Sequence, residues 1–239
     1  MGIRLVFLSV FFMVCCVPVK AQNMPTISPS ATYTVGDGGE QTSTSISESA
    51  PLTVRFSSGA ENDDGWTAHY EWHFYRQGQR ESPYLVRYEK DTEFTFVEAG
   101  AHCVELWATF AQGNDSVIYA DVYWASDGQP ITVGISESKL EFPNAFSPNG
   151  DGINDVYKAK EGYKSIVEFK ATIFNRWGQK VYTWDDPSGG WDGKFNGKDA
   201  KQGVYYVLVK ACGADGRKFN IKKDVNLLRG YTETNGGGF

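Results

Sequence analysis

Between Phe142 and Asp155 the chain reads Phe-Pro-Asn-Ala-Phe-Ser-Pro-Asn-Gly-Asp-Gly-Ile-Asn-Asp. The run is too polar for a buried strand and too dense in turn-forming residues for a plain linker. Asn149, Asp151 and Asp155 set oxygen-bearing side chains at close spacing, and Gly150 and Gly152 permit the tight backbone that gathers those oxygens. Two readings follow. In one, the Asx side chains cap backbone N–H groups and hold the turn unaided. In the other, Asn149, Asp151 and Asp155 are side-chain ligands of a calcium ion, with backbone carbonyls completing its six to eight oxygens. The second reading predicts a calcium-dependent rise in melting temperature.

The rest of the chain alternates as strands do. Tyr70, Trp72 and Phe74 fall on one face and His69, Glu71 and His73 on the other. Val104, Leu106, Ala108 and Phe110 likewise oppose Glu105 and Thr109. Aromatic residues make up 15% of the chain, which suits pleated surfaces, and no segment sustains a 3.6-residue apolar period over three turns. The expectation is all-β, with two consecutive Ig-like β-sandwich domains. Residues 1–22 read as a signal peptide: Arg4, an apolar run from Leu5 to Val19, and Val19-Lys20-Ala21 as cleavage site. Val14 before Cys15 departs from a lipoprotein signal. Residues 23–50 read as a Ser/Thr-rich lead-in with at most one strand, at Ala31–Val35. Turn signals at Asp63-Asp-Gly65, Gln77-Gly78, Ala99-Gly100 and Gln112-Gly-Asn114 space a seven-strand sandwich over 51–136. The second domain, 137–231, places strands near 141–146, 156–158, 167–175, 180–184, 203–210 and 219–228. Asp215-Gly216 forms its last hairpin, and 232–239 is a disordered tail.

Two resemblances sharpen this. Leu52-Thr-Val-Arg-Phe-Ser-Ser58, Tyr70-Glu-Trp-His-Phe74 and Phe94–Leu106 resemble a PKD-type (polycystic-kidney-disease-type) Ig-like domain. Tyr75-Arg-Gln-Gly78 stands where that family has Gly-Asp-Gly. In the second domain, the run Asn144–Asp155 resembles the opening of the gliding-motility-associated C-terminal domain, the type B sorting signal of the type IX secretion system in Bacteroidetes. Its motif positions here are Asn144, Phe146, Pro148, Asn149, Gly150, Asp151, Gly152, Asn154 and Asp155. The later blocks agree in order: Ile173–Tyr182 with Asn175, Arg176, Trp177 and Gly178; then Trp191, Asp192 and Gly193; then Gly203, Tyr205 and Tyr206. The resemblance implies partners in the type IX translocon and a small outer-membrane β-barrel protein. It also implies residence at the cell surface or outer membrane, or release.

Charge and chemistry narrow the classes further. Without residues 1–22 the chain carries 21 basic and 29 acidic residues, a net charge of −8, and no basic stripe, which sets nucleic acid aside. No nucleophile elbow and no phosphate-cradling loop is present. His69 and His73 flank Glu71 on one strand face; a zinc site is conceivable there, and a solvated face is the favoured reading. His102 and Cys103 are adjacent on a strand and therefore point apart. Asp63–Asp64 and Asp185–Asp186 sit in turn-like sequence. A Cys103–Cys212 disulfide is disfavoured because the two cysteines belong to different domains. Trp177, Trp184 and Trp191 are read as packing residues, with a carbohydrate-stacking patch as the alternative. Asp115-Ser116-Val117 resembles a periplasmic O-glycosylation site at Ser116. The functional expectation is an exported, non-enzymatic surface protein. Its C-terminal domain directs secretion and attachment, and its PKD-like module contacts an extracellular protein or glycan. An accessory part of the secretion or gliding-motility machinery, and an adhesin or glycan binder, are the alternatives.

Overall fold

The computed structural model describes residues 23–36 and 38–229. The expected signal peptide and C-terminal tail lie outside the described residues. The first unit comprises β1 (Ser30–Thr34), β2 (Glu40–Thr42), β3 (Ser45–Glu48), β4 (Leu52–Ser57), β5 (Thr67–Arg76), β6 (Leu85–Arg87), β7 (Thr92–Phe96), β8 (Gly100–Gln112), β9 (Asp115–Tyr119), α1 (Asp121–Ser126) and β10 (Ile131–Ile135). Two sheets form, in the orders β2-β1-β4-β7 and β3-β10-β8-β5-β6, with β9 returning along β8. The chain enters one sheet at β1 and crosses to the other at β3, which pairs in parallel with β10. Crossing between sheets in this way is an Ig-like topology.

Alternation decides the core. Val54 and Phe56 of one sheet meet Trp72, Phe74, Val104, Leu106 and Phe110 of the other, all at most 1% exposed. Phe56 sits edge-on to Phe74 at a centroid distance of 5.4 Å, a favoured geometry between aromatic rings. The indole N–H of Trp72 donates to the Lys90 carbonyl at 3.3 Å, so its burial leaves no orphan donor.

The first unit corrects two expectations. Residues 23–50 contribute three strands rather than at most one, and the sandwich has ten strands rather than seven. The Ser/Thr-rich composition is the exposed side of an edge. Ala31, Tyr33 and Ile46 point inward and are buried, while Thr32 and Thr42 bond to each other across β1 and β2 at 3.1 Å.

The second unit comprises β11 (Ala145–Phe146), β12 (Tyr157–Lys158), β13 (Ile166–Phe174), β14 (Lys180–Trp184), β15 (Gly190–Trp191), β16 (Lys194–Phe195), β17 (Lys198–Asp199), β18 (Gly203–Gly213) and β19 (Lys218–Leu227). One five-stranded sheet, ordered β11-β19-β18-β13-β14, is faced by two short ribbons, β12-β15 and β16-β17. The strand expected at 141–146 shrinks to Ala145–Phe146, because Glu141 is held instead by a bond from the Lys160 N–H at 2.8 Å. The hairpin expected at Asp215-Gly216 joins β18 to β19.

The two units are docked. The Ala50 N–H donates to Ser165 Oγ at 3.1 Å, and the Ala99 N–H donates to the Ala214 carbonyl at 2.9 Å. Ala214 packs into the first unit's core cluster. In the connection, Ser138 donates through its hydroxyl and its N–H to the Asp215 carboxylate at 2.7 and 3.2 Å. The junction therefore lies at the end of the sheet where β18 finishes.

Candidate functional site

The Asn149–Asp155 loop is built by its own side chains. The Asp155 carboxylate accepts the N–H groups of Asn149, Gly150 and Gly152 at 2.9, 2.7 and 2.8 Å. Those bonds, that from Gly150 foremost and then that from Gly152, hold the Asp155 carboxyl below the usual range. Asp151 accepts from the Ile153 N–H at 2.8 Å, and the Asn149 amide oxygen accepts from the Asp151 N–H at 3.0 Å. Gly150 and Gly152 have φ of +82° and +84°, which explains glycine at both positions. Ser147 donates its N–H to the Asn154 carbonyl at 2.8 Å and closes the base of the loop. This is the geometry of the capped turn. A cation bound by Asn149, Asp151 and Asp155 would share their oxygens with these N–H donors.

Behind the loop stands an aromatic cluster. Phe146 and Trp191 lie 5.3 Å apart by centroids, and Trp191 meets Tyr205 at 4.9 Å and 62°. Trp191 is fully buried and donates its indole N–H to the Lys194 carbonyl at 2.7 Å. Tyr205 and Tyr206 part company as strand neighbours must: Tyr205 is buried with its hydroxyl on the Lys201 carbonyl at 2.8 Å, while Tyr206 is exposed on the opposite face. Asn144, at the start of the motif, accepts at its backbone carbonyl from the Asn226 N–H and at its side-chain oxygen from the Lys223 ammonium.

Arg229 ties these blocks together, and sequence reasoning missed it. Its guanidinium donates to the carbonyls of Gly193 at 2.8 Å, Ala200 at 3.0 Å and Pro148 at 3.3 Å, and lies 3.4 Å from the Asp199 carboxylate. A planar fork of donors suits several fixed carbonyls at once. A side chain on Gly193 would bring its Cβ to 2.7 Å from the Pro148 ring, and Gly193 has φ of +76°. An arginine at the close of a strand carries no mark in the sequence that it reaches back across the fold.

The Asn175–Gly178 turn joins β13 to β14. The Asn175 side-chain oxygen accepts from the N–H groups of Trp177 and Gln179, both at 3.0 Å, and Gly178 returns its N–H to the Asn175 carbonyl at 2.9 Å. Trp177 corrects the packing expectation. Trp184 and Trp191 are buried, but Trp177 is 74% exposed, with the Arg176 guanidinium 4.4 Å over its ring. Its place at the tip of the turn puts it beyond the sheet, where no second layer can cover it.

Strand direction brings the blocks to one end. β18 runs from Gly203 to Gly213, and its register sets Tyr206 against Phe174 on β13 and Gly203 against Leu227 on β19. Phe146 pairs with Leu227. The Asn149–Asp155 loop, the Asn175–Gly178 turn, Gly203 and Arg229 therefore share the end of the sheet where β18 begins. Ala214 and the junction with the first unit lie at the other end. Eleven residues of strand separate them, a span of roughly 33 Å at about 3 Å per residue.

The remaining candidates are dispersed. Ser116 is exposed at the start of β9, opposite Ala111. His69 and His73 both bond to Glu71, at 3.0 and 2.9 Å, on the outward face as expected. Among the described residues no group of three or more His, Cys, Asp or Glu side chains is placed to hold a metal ion. Cys103 and Cys212 are free thiols. Asp63 and Asp186 hold turns through the Trp66 N–H and the Ser188 N–H.

Sequence reasoning also missed the buried Glu105. Expected on the solvated face of β8, it is 2% exposed and accepts from Arg80 Nε at 2.9 Å, the Tyr75 hydroxyl at 2.6 Å and the Trp107 indole at 3.1 Å. Burial first, then the bond to Glu105, pushes the Tyr75 hydroxyl far up.

Comparison with known proteins covers the second unit more closely than the first. No curated protein matches the chain. A crystal structure titled DIP-gamma IG1+IG2 aligns with 79% of this chain and 92% of its own, at 10% identity and a TM-score of 0.23. Residues 140–224 match the model of the CHU_C type IX secretion signal domain, a stretch that contains every sorting-motif residue named above and ends five residues before Arg229.

Proposed function

We propose that the second unit is a sorting signal read by recognition rather than by chemistry, and that the first unit is the exported cargo it carries. The observation that carries this reading is the family match over residues 140–224, taken with the gathering of its motif blocks at the end of the sheet away from the first unit. A signal at that end stays accessible while the cargo is docked at the other. A type IX secretion signal implies export to the cell surface or release. The readers are the translocon and an outer-membrane β-barrel partner, and the PKD-like first unit then contacts an extracellular protein or glycan. The test is deletion of residues 140–239 in the native host, followed by protease accessibility on intact cells. Surface exposure of the full chain with periplasmic retention of the truncated one supports the reading. Identical behaviour of the two sinks it.

A further inference from the structure

The five-stranded sheet of the second unit has an inner face covered by the two ribbons and an outer face on which no described element packs. Register gives that outer face row by row across β13, β18 and β19. Phe174, Tyr206 and Asp224 form one row; Thr172, Leu208 and Lys222 the next; then Lys170, Lys210 and Asn220; then Glu168, Cys212 and Lys218. Val204 and Tyr206 are 45% and 49% exposed. Beside this apolar end, Lys170, Lys210, Lys218 and Lys222 are all exposed, and among the described residues none of their ammonium groups is in an ion pair or hydrogen bond.

Lys170 and Lys210 are direct cross-strand partners. Like charges placed opposite one another oppose pairing, so folding alone gives no reason for them. Composition gives none either. Residues 23–136 hold five Lys and Arg against sixteen Asp and Glu, a net charge of −11, whereas residues 137–239 hold sixteen against thirteen, a net charge of +3. The excess of positive charge is gathered in the unit that matches the secretion signal, and four of its exposed lysines, Lys170, Lys210, Lys218 and Lys222, stand together on one sheet face.

We infer that this outer face docks the second unit onto an acidic protein surface during export. The apolar end around Tyr206 and Leu208 receives an apolar ridge, and the lysine rows receive carboxylates beside it, the usual pairing of apolar centre and polar rim. Two shallow, open depressions lie on the face, one beside Phe174, Tyr206 and Leu208 and one beside Lys170, Lys210 and Lys218. The lysines stand on a broad sheet face rather than on the polar side of an amphipathic helix of the kind that lies in a lipid interface, and their charge is complemented by carboxylates of a protein surface. The inference rests on the sorting reading and names the chemistry of the partner that reads it.

The test compares four full-length or truncated forms in the native host by surface protease accessibility: wild type, the 140–239 deletion, Lys170→Glu/Lys210→Glu and Lys170→Gln/Lys210→Gln. The charge reversal is expected to lower the surface-exposed fraction about tenfold at an unchanged melting temperature, with the neutral pair intermediate. If the deletion is retained while the reversal is exported like wild type, the docking inference is overturned and the sorting reading stands. If the deletion is exported, the sorting reading itself fails. If the reversal melts early, the neutral pair decides by the same comparison. Flotation of the purified chain with phosphatidylcholine–phosphatidylglycerol vesicles, lost on reversal, would assign the face to lipid. Sedimentation showing a dimer that the reversal dissolves would assign it to self-association. Either result overturns the inference.

Discussion

The guanidinium of Arg229 donates to the carbonyl of Gly193 at 2.8 Å, joining the end of the last strand to a turn thirty-six residues earlier. The same group reaches Ala200 and Pro148, so one side chain satisfies carbonyls from three loops. Arg229→Ala leaves them without that donor, and the second unit should lose about 2–4 kcal/mol, read from urea unfolding of the full chain. Lysine supplies one point of charge in place of the fork, so Arg229→Lys should recover less than half of that loss.

Gly193 and Gly178 separate strain from crowding. Both have positive φ, +76° and +77°, but an added Cβ meets the Pro148 ring at 2.7 Å in the first case and nothing within 4 Å in the second. Gly178→Ala should cost about 1 kcal/mol, the conformational penalty alone. Gly193→Ala should cost about 2–4 kcal/mol, since the ring must also move. Equal losses in parallel denaturant melts would show that Pro148 does not crowd the position.

Trp177 is a large apolar side chain with little to pack against. Trp177→Ala should leave the stability within about 0.5 kcal/mol of wild type, as surface substitutions do. A fall in surface delivery at that unchanged stability would mark Trp177 as a contact made in recognition.

The pH dependence of stability has a component above the carboxylate range. His102 is buried, and burial holds its imidazole below the ordinary value of 6.5, with the bond to the Glu98 carbonyl opposing and the Arg76 charge reinforcing. The unfolded chain therefore takes up a proton near pH 6.5 that the folded chain does not. Stability should fall as pH drops below about 6.5, through the lower folded value. Asp63, Glu71, Asp155 and Asp215 are also held below their usual values, so their contribution is lost only below about pH 4. Urea midpoints taken from pH 7.5 to 5 should slope downward for wild type and flatten for His102→Gln. An unchanged slope in the variant would assign the loss to another group.

The motif loop offers a direct test of its two readings. Asp155→Ala removes the acceptor of three N–H groups and should lower the melting temperature of the second unit. If the loop also binds calcium, wild type melts higher in millimolar calcium than in chelator, and Asp155→Ala abolishes that difference. Superimposed melts in the two conditions leave the capped turn as the whole account.

Much of this architecture was legible in the chain because it depends on period and turn chemistry. The alternation of Tyr70, Trp72 and Phe74 against His69, Glu71 and His73 placed β5 and its inward face, since successive side chains of a strand must point oppositely. Asp215-Gly216 marked a hairpin for the same local reason. The motif blocks from Asn144 to Trp191 were equally visible, as short runs whose glycines and Asx residues define turns by themselves, and the block at Gly203–Tyr206 as the start of an alternating strand.

What only the tertiary structure decided involves partners distant in sequence. β1, β2 and β3 form at the margins of the two sheets because Ala31 finds Phe56 across the ladder and Ile46 finds Val133; their Ser and Thr content alone reads as loose chain. Glu105 is buried because Arg80 and Tyr75 arrive from another strand and a loop to satisfy it, which no local pattern at Glu105 announces. Trp177 is exposed and Trp191 buried because Trp191, on the ribbon strand β15, packs against Phe146 and Tyr205 of the five-stranded sheet, whereas Trp177 sits at the tip of a turn beyond it. Local periodicity and turn chemistry are properties of neighbouring residues, so the chain carries them openly. Burial, ion pairing and the gathering of the motif blocks at one end of a sheet are properties of residues brought together by register, and they exist only once the strands have paired.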